Sequence, residues 1–471
     1  MPFSTILFVC GFLPLCLAVY WLAPGRLRNL VALGFSVAFY AWGAPRFLPV
    51  VLALGVADFY LAGAVARAKG RRKVVLLSIA LSVHIGVLAY FKYSNFAVAQ
   101  LNTISALLGR TPFEWADVAL PIGISFLTFE EISYLVDVYR GDAAPAKRGT
   151  HYLVFLMLFP HSIAGPIFRW KDLAAQFEGR VVTADSMWAG VARFSFGLAK
   201  KILVADSAAL IADAVFGLPK AELTPYYAWA GAISYAIQIY FDFSGYSDMA
   251  IGLGAMLGFT FKENFREPYL SVSLAEFWQR WHISLSSWLR DYIYIPLGGN
   301  RKGRVRAEVN AMAVFAVSGM WHGAAWNFLL WGLYHGIIVA LERRADPLLS
   351  RLPKLLRCIL TFAIVVVGWV IFRARDLTQA GWMLASMFGA DAVTTTDHVM
   401  PGTVVPRVGL VAVVGALAFV FLRMRVRIRH EARTWLPPAF YRYPAVSLAL
   451  LGATILHMAN TRYMPLIYFK F

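Results

Sequence analysis

The sequence predicts an all-α protein that crosses a membrane many times. Of its 471 residues, 59% are hydrophobic and only 15% are charged. The mean hydropathy is +0.62, which is far above that of a soluble globular domain. Apolar runs recur along the whole chain, and we count about ten spans among them. These runs cover residues 3–23, 30–43, 47–65, 74–91, 116–138, 151–168, 225–257, 311–341, 355–373, 408–423 and 443–459.

The net charge of +18 comes from basic clusters that lie between the apolar runs. Such clusters stand at 65–73, 298–306 and 421–433, where they indicate cytoplasmic loops and not a nucleic-acid surface. The first apolar run has no basic residue before it, is followed by Arg26 and Arg28, and lacks a small-residue cleavage site. We therefore predict an uncleaved first span with its N-terminus outside, and cytoplasmic locations for 66–73 and 140–148.

One transmembrane domain over residues 1–471 is the predicted organisation. The sequence contains no internal repeat and no low-complexity segment, and its longest polar connection, 389–407, is too short to fold alone. The three cysteines, Cys10, Cys16 and Cys358, lack the spacing of metal ligands.

Two segments depart from simple spans. Pro160, Gly165 and Pro166 interrupt the run at 158–170, which predicts a broken, re-entrant segment that is either buried in protein or lines a cavity. Residues 273–292 carry apolar and aromatic side chains at helical spacing on one face and polar ones on the other. This pattern predicts one amphipathic helix in the headgroup plane or beside a cytoplasmic cavity, with His282 at the border of its apolar face.

Ionisable side chains inside apolar runs are functional candidates, because each costs at least a few kcal/mol in a membrane. His322 lies between Trp321 and Gly323, where a buried neutral imidazole would suit a general base. His335 follows thirteen residues later. On an unbroken helix that spacing places it roughly 20 Å along the axis. This separation, and the lack of Cys, Asp or Glu nearby, predicts no metal site.

Polar residues in other runs have a structural and a functional interpretation. Ser234, Gln238, Asp242, Ser244 and Asp248 form stripes on an otherwise apolar helix that bond to other helices or line a polar tunnel. The same alternatives apply to three acidic residues of the run at 116–138, Glu130, Glu131 and Asp137, the last with Arg140 as its expected partner.

Three more histidines and one loop complete the candidates. His84 and His457 are lone residues in apolar runs and are predicted to be satisfied packing histidines rather than ligands, whereas His161 could line a cavity. The loop at 298–306 offers two glycines and the basic residues Arg301, Lys302 and Arg304, which could hold a phosphorylated donor, although no Walker pattern is present.

Several long strings resemble the membrane-bound O-acyltransferase family, in its bacterial branch of alginate O-acetylation. They are "LPIGISF", "FPHSIAGPI", "FDFSGYSDMAIGLG", "EFWQRWHISLSSWLRDYIYIPLGGNRKG" and "SGMWHGAAWNFLLWGLYHG". The resemblance runs from the first span to about residue 375, with a catalytic core at roughly 116–375. It implies a helical bundle around a buried funnel or tunnel, with short tilted helices.

The resemblance also implies a site and a reaction. It assigns His322 and His335 as the catalytic histidines, with acetyl coenzyme A as the donor and no tightly bound cofactor or metal. Whether His322 is a general base or an acyl carrier stays open. Candidates to line the tunnel are Asp242, Ser244, Gln238, His282, Trp321, Asn327 and His161.

The expected function is an inner-membrane O-acetyltransferase for an exopolysaccharide, most simply alginate. D-alanyl, cellulose or peptidoglycan acyl transfer are alternatives in the same family, and an ion-coupled secondary transporter is the alternative from another class. Because every connection is short, we also expect an extracytoplasmic serine-hydrolase-like partner that completes transfer to the polymer. With its N-terminus outside, as predicted above, the chain has a periplasmic N-terminus.

Overall fold

The computed structural model describes residues 2–390, 409–410, 413–418, 444–461 and 463–466. The polar connection at 391–407, the basic cluster at 421–433 and much of the apolar run at 408–423 lie outside these residues.

The described residues form helices and contain no β-strand, which confirms the predicted all-α class. Three π-helical turns interrupt or extend the helices, at Leu7–Phe12, Lys200–Ala205 and Arg290–Tyr294. The α-helices are α1 Leu13–Leu22, α2 Arg28–Gly43, α3 Leu48–Arg67, α4 Gly70–Leu107, α5 Ile124–Arg140, α6 Gly149–Met157, α7 Trp170–Leu173, α8 Gln176–Gly179, α9 Ala184–Ala199, α10 Asp206–Phe216, α11 Pro225–Met256, α12 Leu274–Arg280, α13 Ile283–Leu289, α14 Arg304–His322, α15 Trp326–Leu349, α16 Lys354–Arg373, α17 Leu377–Met387 and α18 Pro444–Asn460.

Three helical segments among the described residues are long and apolar enough to cross a membrane, Pro45–Arg67, Gly70–Leu107 and Lys354–Arg373. Shorter apolar helices cover Leu7–Leu22 and Pro444–Asn460. Other long helices carry buried charges; α11, for example, contains Asp242 and Asp248. The count of about ten spans stays a prediction.

The chain divides into two compact units. Unit 1 comprises Met1–Gly190 and Ala250–Phe261, and unit 2 comprises Val191–Met249 and Lys262–Phe471. The predicted single domain over residues 1–471 concerns whether the chain folds as one unit, and it stays a prediction.

Unit 1 is built on α2 to α6, with α5 packed against α3 and α4, and α6 packed against α2 and α3. The segment after α6 is the predicted break. Helix α6 ends at Met157, and residues 158–169 are irregular and buried. Gly165 has a φ of 115°, a value that glycine adopts without strain. The broken, buried segment is therefore confirmed.

Unit 2 contains a helical hairpin of α14 and α15, joined by a turn at residues 323–325. Two glycines allow the helices to approach closely. A Cβ built on Gly319 would collide with the carbonyl oxygen of Phe328, and one on Gly332 with that of Phe315. Small residues permit this backbone-to-backbone packing in membrane helices. Helix α16 packs on α15 and adds Trp369 to a core that also holds Trp281 and Trp331.

The predicted single amphipathic helix over 273–292 is wrong. Helix α12 ends at Arg280, α13 begins at Ile283, and His282 between them has a φ of 43° and a ψ of 56°. This left-handed backbone cannot continue a right-handed helix. No Gly or Pro marks the break in the sequence, so helical spacing alone could not reveal it.

Candidate functional site

His322 is the last residue of α14, at the turn of the α14–α15 hairpin. Its side chain is buried, with 7% of its surface exposed. Its ring lies 5.0 Å from that of Trp321, 5.2 Å from Trp331 and 5.2 Å from Phe372, measured between centroids. Large apolar rings therefore exclude most water from this imidazole.

His335 lies on α15 in an aromatic enclosure. Its ring is fully buried and lies 5.1 Å from the rings of both Trp278 and Trp331 and 5.2 Å from Tyr334. A Cβ built on Gly368 would lie 2.7 Å from His335 Nε2, so α16 closes over that nitrogen. Neither ring nitrogen has a hydrogen-bond partner in the described part of the chain.

The hairpin changes the expected relation between these two histidines. The estimate of roughly 20 Å assumed one unbroken helix, but α14 ends at His322 and α15 begins at Trp326. As a result the indole ring of Trp331 contacts both imidazoles. The continuous-helix assumption is wrong, because the Gly-Ala-Ala turn reverses the chain.

His282 has a polar neighbour that His335 lacks. Its Nδ1 lies 3.2 Å from Asn264 Oδ1, and the same oxygen accepts hydrogen bonds from the backbone N–H and hydroxyl of Ser284. Because Asn264 Oδ1 is an acceptor, the proton of a neutral His282 belongs on Nδ1 and the Nε2 lone pair is left open. Nε2 is buried and has no hydrogen-bond partner among described residues. Burial lowers the pKa of His282 to about 3, which keeps the ring neutral.

Trp321 connects His282 to His322. Its indole centroid lies 6.0 Å from the imidazole of His282 and 5.0 Å from that of His322. The structure thus brings together two predicted tunnel-lining residues, His282 and Trp321, with the predicted catalytic His322.

The predicted polar stripe of α11 is occupied by ion pairs. Asp242 lies 2.6 Å from Lys201 Nζ, and Asp248 lies 2.7 Å from Lys200 Nζ. Arg193 also donates to Asp248, through Nε at 2.7 Å. These partners come from α9 and the π-helical turn that follows it. These contacts are bonds between helices, which is the structural interpretation of the stripe. A tunnel-lining role stays a prediction.

A small cleft lies beside this network. Its interior has no room for a water-sized sphere, so it is a packing gap and not a ligand pocket. Ser244, a predicted lining residue, takes part in it and accepts a hydrogen bond from Lys200 Nζ at 3.3 Å. The cleft is lined by Lys200, Ser244, Ser247, Asp248, Glu263, Asn264 and Phe265.

Two further lining candidates differ from each other. Asn327 is buried, and its side-chain amide donates to the carbonyl oxygen of Ala374 at 2.9 Å, which fixes α15 to the end of α16. Gln238 is buried on α11, and its Oε1 has no hydrogen-bond partner among the residues described. Asn327 is therefore engaged in packing, whereas Gln238 keeps an unused acceptor.

The loop before α14 places its basic residues in solvent. Arg301, Lys302 and Arg304 are exposed, and Arg304 also lies 3.4 Å from Glu308. Asn310 donates to the carbonyl oxygen of Gly299 at 3.0 Å and holds the loop against α14. Donor binding by these residues stays a prediction.

Unit 1 contains two further buried histidines, each beside a carboxylate. His161 Nδ1 lies 3.1 Å from Glu130 Oε1. His84 Nε2 lies 2.8 Å from Asp58, and its Nδ1 lies 3.1 Å from Glu131. His84 packs inside the helix bundle and is hydrogen-bonded, as predicted, but it is not a lone residue. Asp58 and Glu131 approach it from other helices, and sequence adjacency does not reveal them.

One contact of Asp137 and one whole segment were not predicted. Asp137 lies 2.9 Å from Lys171, while its pairing with Arg140 stays a prediction. The sequence patterns named no candidate in the segment 184–205, although this segment supplies Arg193, Lys200 and Lys201 to the α11 carboxylates. Three basic residues inside an apolar, helical stretch were the available signal.

Comparison with known proteins agrees with the family resemblance. The model of the membrane-bound O-acyltransferase family matches residues 150–374. A probable alginate O-acetylase of Azotobacter vinelandii is 46% identical over 402 residues, covering 84% of this chain and 80% of that protein. A probable alginate O-acetylase of Pseudomonas putida is 41% identical, with both chains covered completely.

A more distant relative has another named acceptor. The peptidoglycan O-acetyltransferase of Helicobacter pylori is 34% identical over 83% of this chain and 80% of its own. These relatives confirm the acyltransferase interpretation over that of a secondary transporter. The chain is a membrane protein and an acyltransferase, and it belongs to the membrane-bound O-acyltransferase family.

Proposed function

We propose that the protein is an inner-membrane O-acetyltransferase that takes acetyl groups from cytoplasmic acetyl coenzyme A for O-acetylation of an exopolysaccharide, alginate. The substrate assignment rests on relatives that are 41–46% identical and carry the name alginate O-acetylase. The relative named for peptidoglycan is 34% identical, so peptidoglycan is the second acceptor to test.

One observation carries the proposed chemistry, namely the position of His322 at a hairpin turn inside a shell of Trp321, Trp331 and Phe372. In the proposed step, His322 accepts the proton of an acceptor hydroxyl. The hydroxyl oxygen attacks the thioester carbonyl, the C–S bond breaks, and the proton passes to the departing thiolate to give coenzyme A. The aromatic shell keeps out water, which would otherwise compete as the nucleophile.

We assign His282 a positioning role next to His322. Asn264 orients its ring, and Trp321 contacts both imidazoles. His335 is enclosed by aromatic rings and Gly368, a setting that suits packing more than contact with substrate. The catalytic role predicted for His335 stays a prediction, and the geometry favours His282.

The donor and the acceptor are proposed to approach from opposite sides of the membrane. The exposed Arg301 and Lys302 would hold the phosphates of acetyl coenzyme A at the cytoplasmic face, with the N-terminus periplasmic. An extracytoplasmic serine-hydrolase-like partner would receive the acetyl group and pass it to the polymer, because a tunnel mouth positions a large sugar chain poorly.

The test is reconstitution in proteoliposomes with labelled acetyl coenzyme A on the side of residues 298–306. With the partner present as acceptor, we expect thioester cleavage by the wild type and a rate lower by about 10²–10⁴ in His322→Ala. Acetylation of an alginate oligosaccharide on the opposite side should require the added partner. Robust acetylation without it would contradict the partner proposal, and label recovered only in peptidoglycan fragments would contradict the alginate assignment.

The donor site has its own test. Arg301→Ala with Lys302→Ala should raise the KM for acetyl coenzyme A and leave kcat near that of the wild type, because the loop contributes binding and not chemistry. Arg343→Ala with Lys354→Ala, which removes two exposed basic residues elsewhere in unit 2, is the charge-matched control. An unchanged KM in the double variant would exclude the loop from donor binding.

A further inference from the structure

Four helices of unit 1 converge on a buried polar cluster that the proposed reaction does not use. Asp58 comes from α3, His84 from α4, Glu131 from α5 and Tyr152 from α6. Asp58 and Glu131 are 1% exposed and His84 is 2% exposed, although α3 and α4 are among the most apolar helices of the chain. Burying such a cluster in a membrane costs free energy unless another group balances its charge.

One side of the His84 ring is fully bonded. Its Nε2 forms a 2.8 Å hydrogen bond with Asp58 Oδ1, and the hydroxyl of Tyr152 donates to Asp58 Oδ2 at 3.1 Å. Nε2 therefore carries the proton of a neutral ring, and Tyr152 and Asp58 hold the ring in one orientation. Metal-bound histidines use this arrangement, in which a carboxylate accepts from the nitrogen that does not bind the metal.

The other side of the ring lies within ion-pair distance of Glu131 but forms no hydrogen bond among the described residues. His84 Nδ1 and Glu131 Oε2 lie 3.1 Å apart, yet neither atom is in a hydrogen bond within the described residues. Glu131 Oε1 is likewise buried and unpaired there. Three unsatisfied atoms thus meet at one point, and buried polar atoms of this kind require a partner.

The charge of the cluster is compatible with a cation as that partner. Two carboxylates and an imidazolium carry a net charge of −1. Two carboxylates, a neutral imidazole and a divalent cation carry none; the cluster is also neutral without a metal when both His84 and Glu131 are protonated, so charge admits the ion and the unsatisfied ligand atoms argue for it. An unpaired nitrogen beside carboxylate oxygens is also the ligand set that zinc and similar divalent metals accept.

We propose that His84 and Glu131, supported by Asp58 and Tyr152, form a structural binding site for a divalent transition metal such as Zn²⁺. Ligand atoms of Asp58, His84 and Glu131 all lie within 4.8 Å of one another. His84 Nδ1 and Glu131 would bind the ion directly, Asp58 would hold the far nitrogen, and water would complete the coordination. The ion would link α4 to α5, and through Asp58 and Tyr152 also to α3 and α6.

The neighbouring Glu130–His161 pair provides a matched control. It is another buried histidine beside a glutamate of α5, at 3.1 Å, but Glu130 Oε1 already accepts from the backbone N–H of Phe168. Among the described residues, no second carboxylate completes that pair into a three-residue ligand group. Glu130→Gln should therefore leave metal binding intact.

The experiment measures metal content and thermal stability of the full chain purified in detergent without chelator. For the wild type we expect about one zinc or related ion per chain by mass spectrometry, and a lower Tm after chelation that Zn²⁺ restores. Glu131→Gln and His84→Gln should contain no bound metal and show no Zn²⁺-dependent rise in Tm. Asp58→Asn and Tyr152→Phe should weaken Zn²⁺ binding by about 10–100-fold, as expected for groups that orient a ligand.

Each outcome decides the proposal. Wild-type protein that neither contains a divalent metal nor gains stability from added Zn²⁺ would overturn it and leave a proton or water as the occupant. The same metal content in Glu131→Gln and the wild type would also overturn it. If His84→Gln fails to fold, Glu131→Gln, which keeps the size and removes the charge, still separates the outcomes. Activity is not the readout, so failure here is distinct from failure of the acyltransferase proposal.

Discussion

The two compact units bury histidines in opposite kinds of surroundings. In unit 1, His84 and His161 lie 2.8–3.1 Å from carboxylates of neighbouring residues. In unit 2, His322 and His335 lie among aromatic rings, with Trp331 in contact with both. The role of a buried histidine in a membrane protein therefore depends on the side chains around it. A carboxylate turns it into a cross-link or ligand, and an aromatic shell keeps water away from it.

His322→Ala is the change that tests this contrast most strongly. We expect acetyl transfer to fall by about 10²–10⁴, the usual contribution of a positioned general base, with insertion and Tm little changed. Thioester cleavage by the purified variant gives the rate, and His161→Ala is the comparison, with its larger effect expected on Tm. More than a tenth of the wild-type rate in His322→Ala would refute an essential role.

The Lys201–Asp242 pair tests whether the ion pairs that stabilise unit 2 are formed by residues other than histidine. Both side chains are buried and 2.6 Å apart. Asp242→Asn should destabilise the protein by less than the about 3–5 kcal/mol of a broken isolated buried pair, because Lys201 Nζ keeps Asp206 at 2.6 Å as a second carboxylate partner. Denaturant titration in detergent measures the loss. Lys201→Met in the same chain should recover part of it, and no recovery would mean that Asp242 acts through other contacts.

Gly332→Ala tests whether hairpin packing sets the aromatic shell of unit 2. The added methyl group meets the Phe315 carbonyl, so we expect a loss of about 1–3 kcal/mol and reduced activity as His322 shifts. Gly86→Ala on α4 is the control, since a Cβ there meets nothing within 4 Å. Equal Tm values for the two variants would argue against tight packing.

His335→Phe should have the smallest effect, less than about tenfold in kcat, since an aromatic ring replaces one imidazole among aromatic rings. His282→Phe should lower kcat more, because it also removes the partner of Asn264. The two variants are compared by kcat and by the pH profile of thioester cleavage. A total loss in His335→Phe with unchanged Tm would restore His335 to the catalytic group.

The sequence predicted those features that depend on local chemistry. The all-α class followed from composition, and the broken segment after Met157 followed from Pro160, Gly165 and Pro166. The motif around His322 identified the family before any geometry was known, and the relatives confirmed it.

Features that depend on distant contacts were not predictable in the same way. The partners of His84 lie on two other helices, and the lysines that pair with α11 lie in a stretch whose helical pattern gave no hint of their direction. The break at His282 has no Gly or Pro to announce it. In each case tertiary packing selects the conformation. The local sequence around a residue shows one partner of the contact and does not identify the other.

The left-handed backbone of His282 sets stability against activity at a single position. A side chain held at a φ of 43° costs about 1–3 kcal/mol, an expense that glycine avoids and asparagine tolerates. A directed-evolution screen that rewards only yield or heat resistance would therefore favour His282→Asn, which relieves the backbone cost and keeps a polar side chain, over His282→Gly, which would also leave a cavity at this buried position. Such a screen would enrich chains that survive heating better and transfer acetyl groups worse, so thermostabilised versions of this enzyme need an activity filter at this residue.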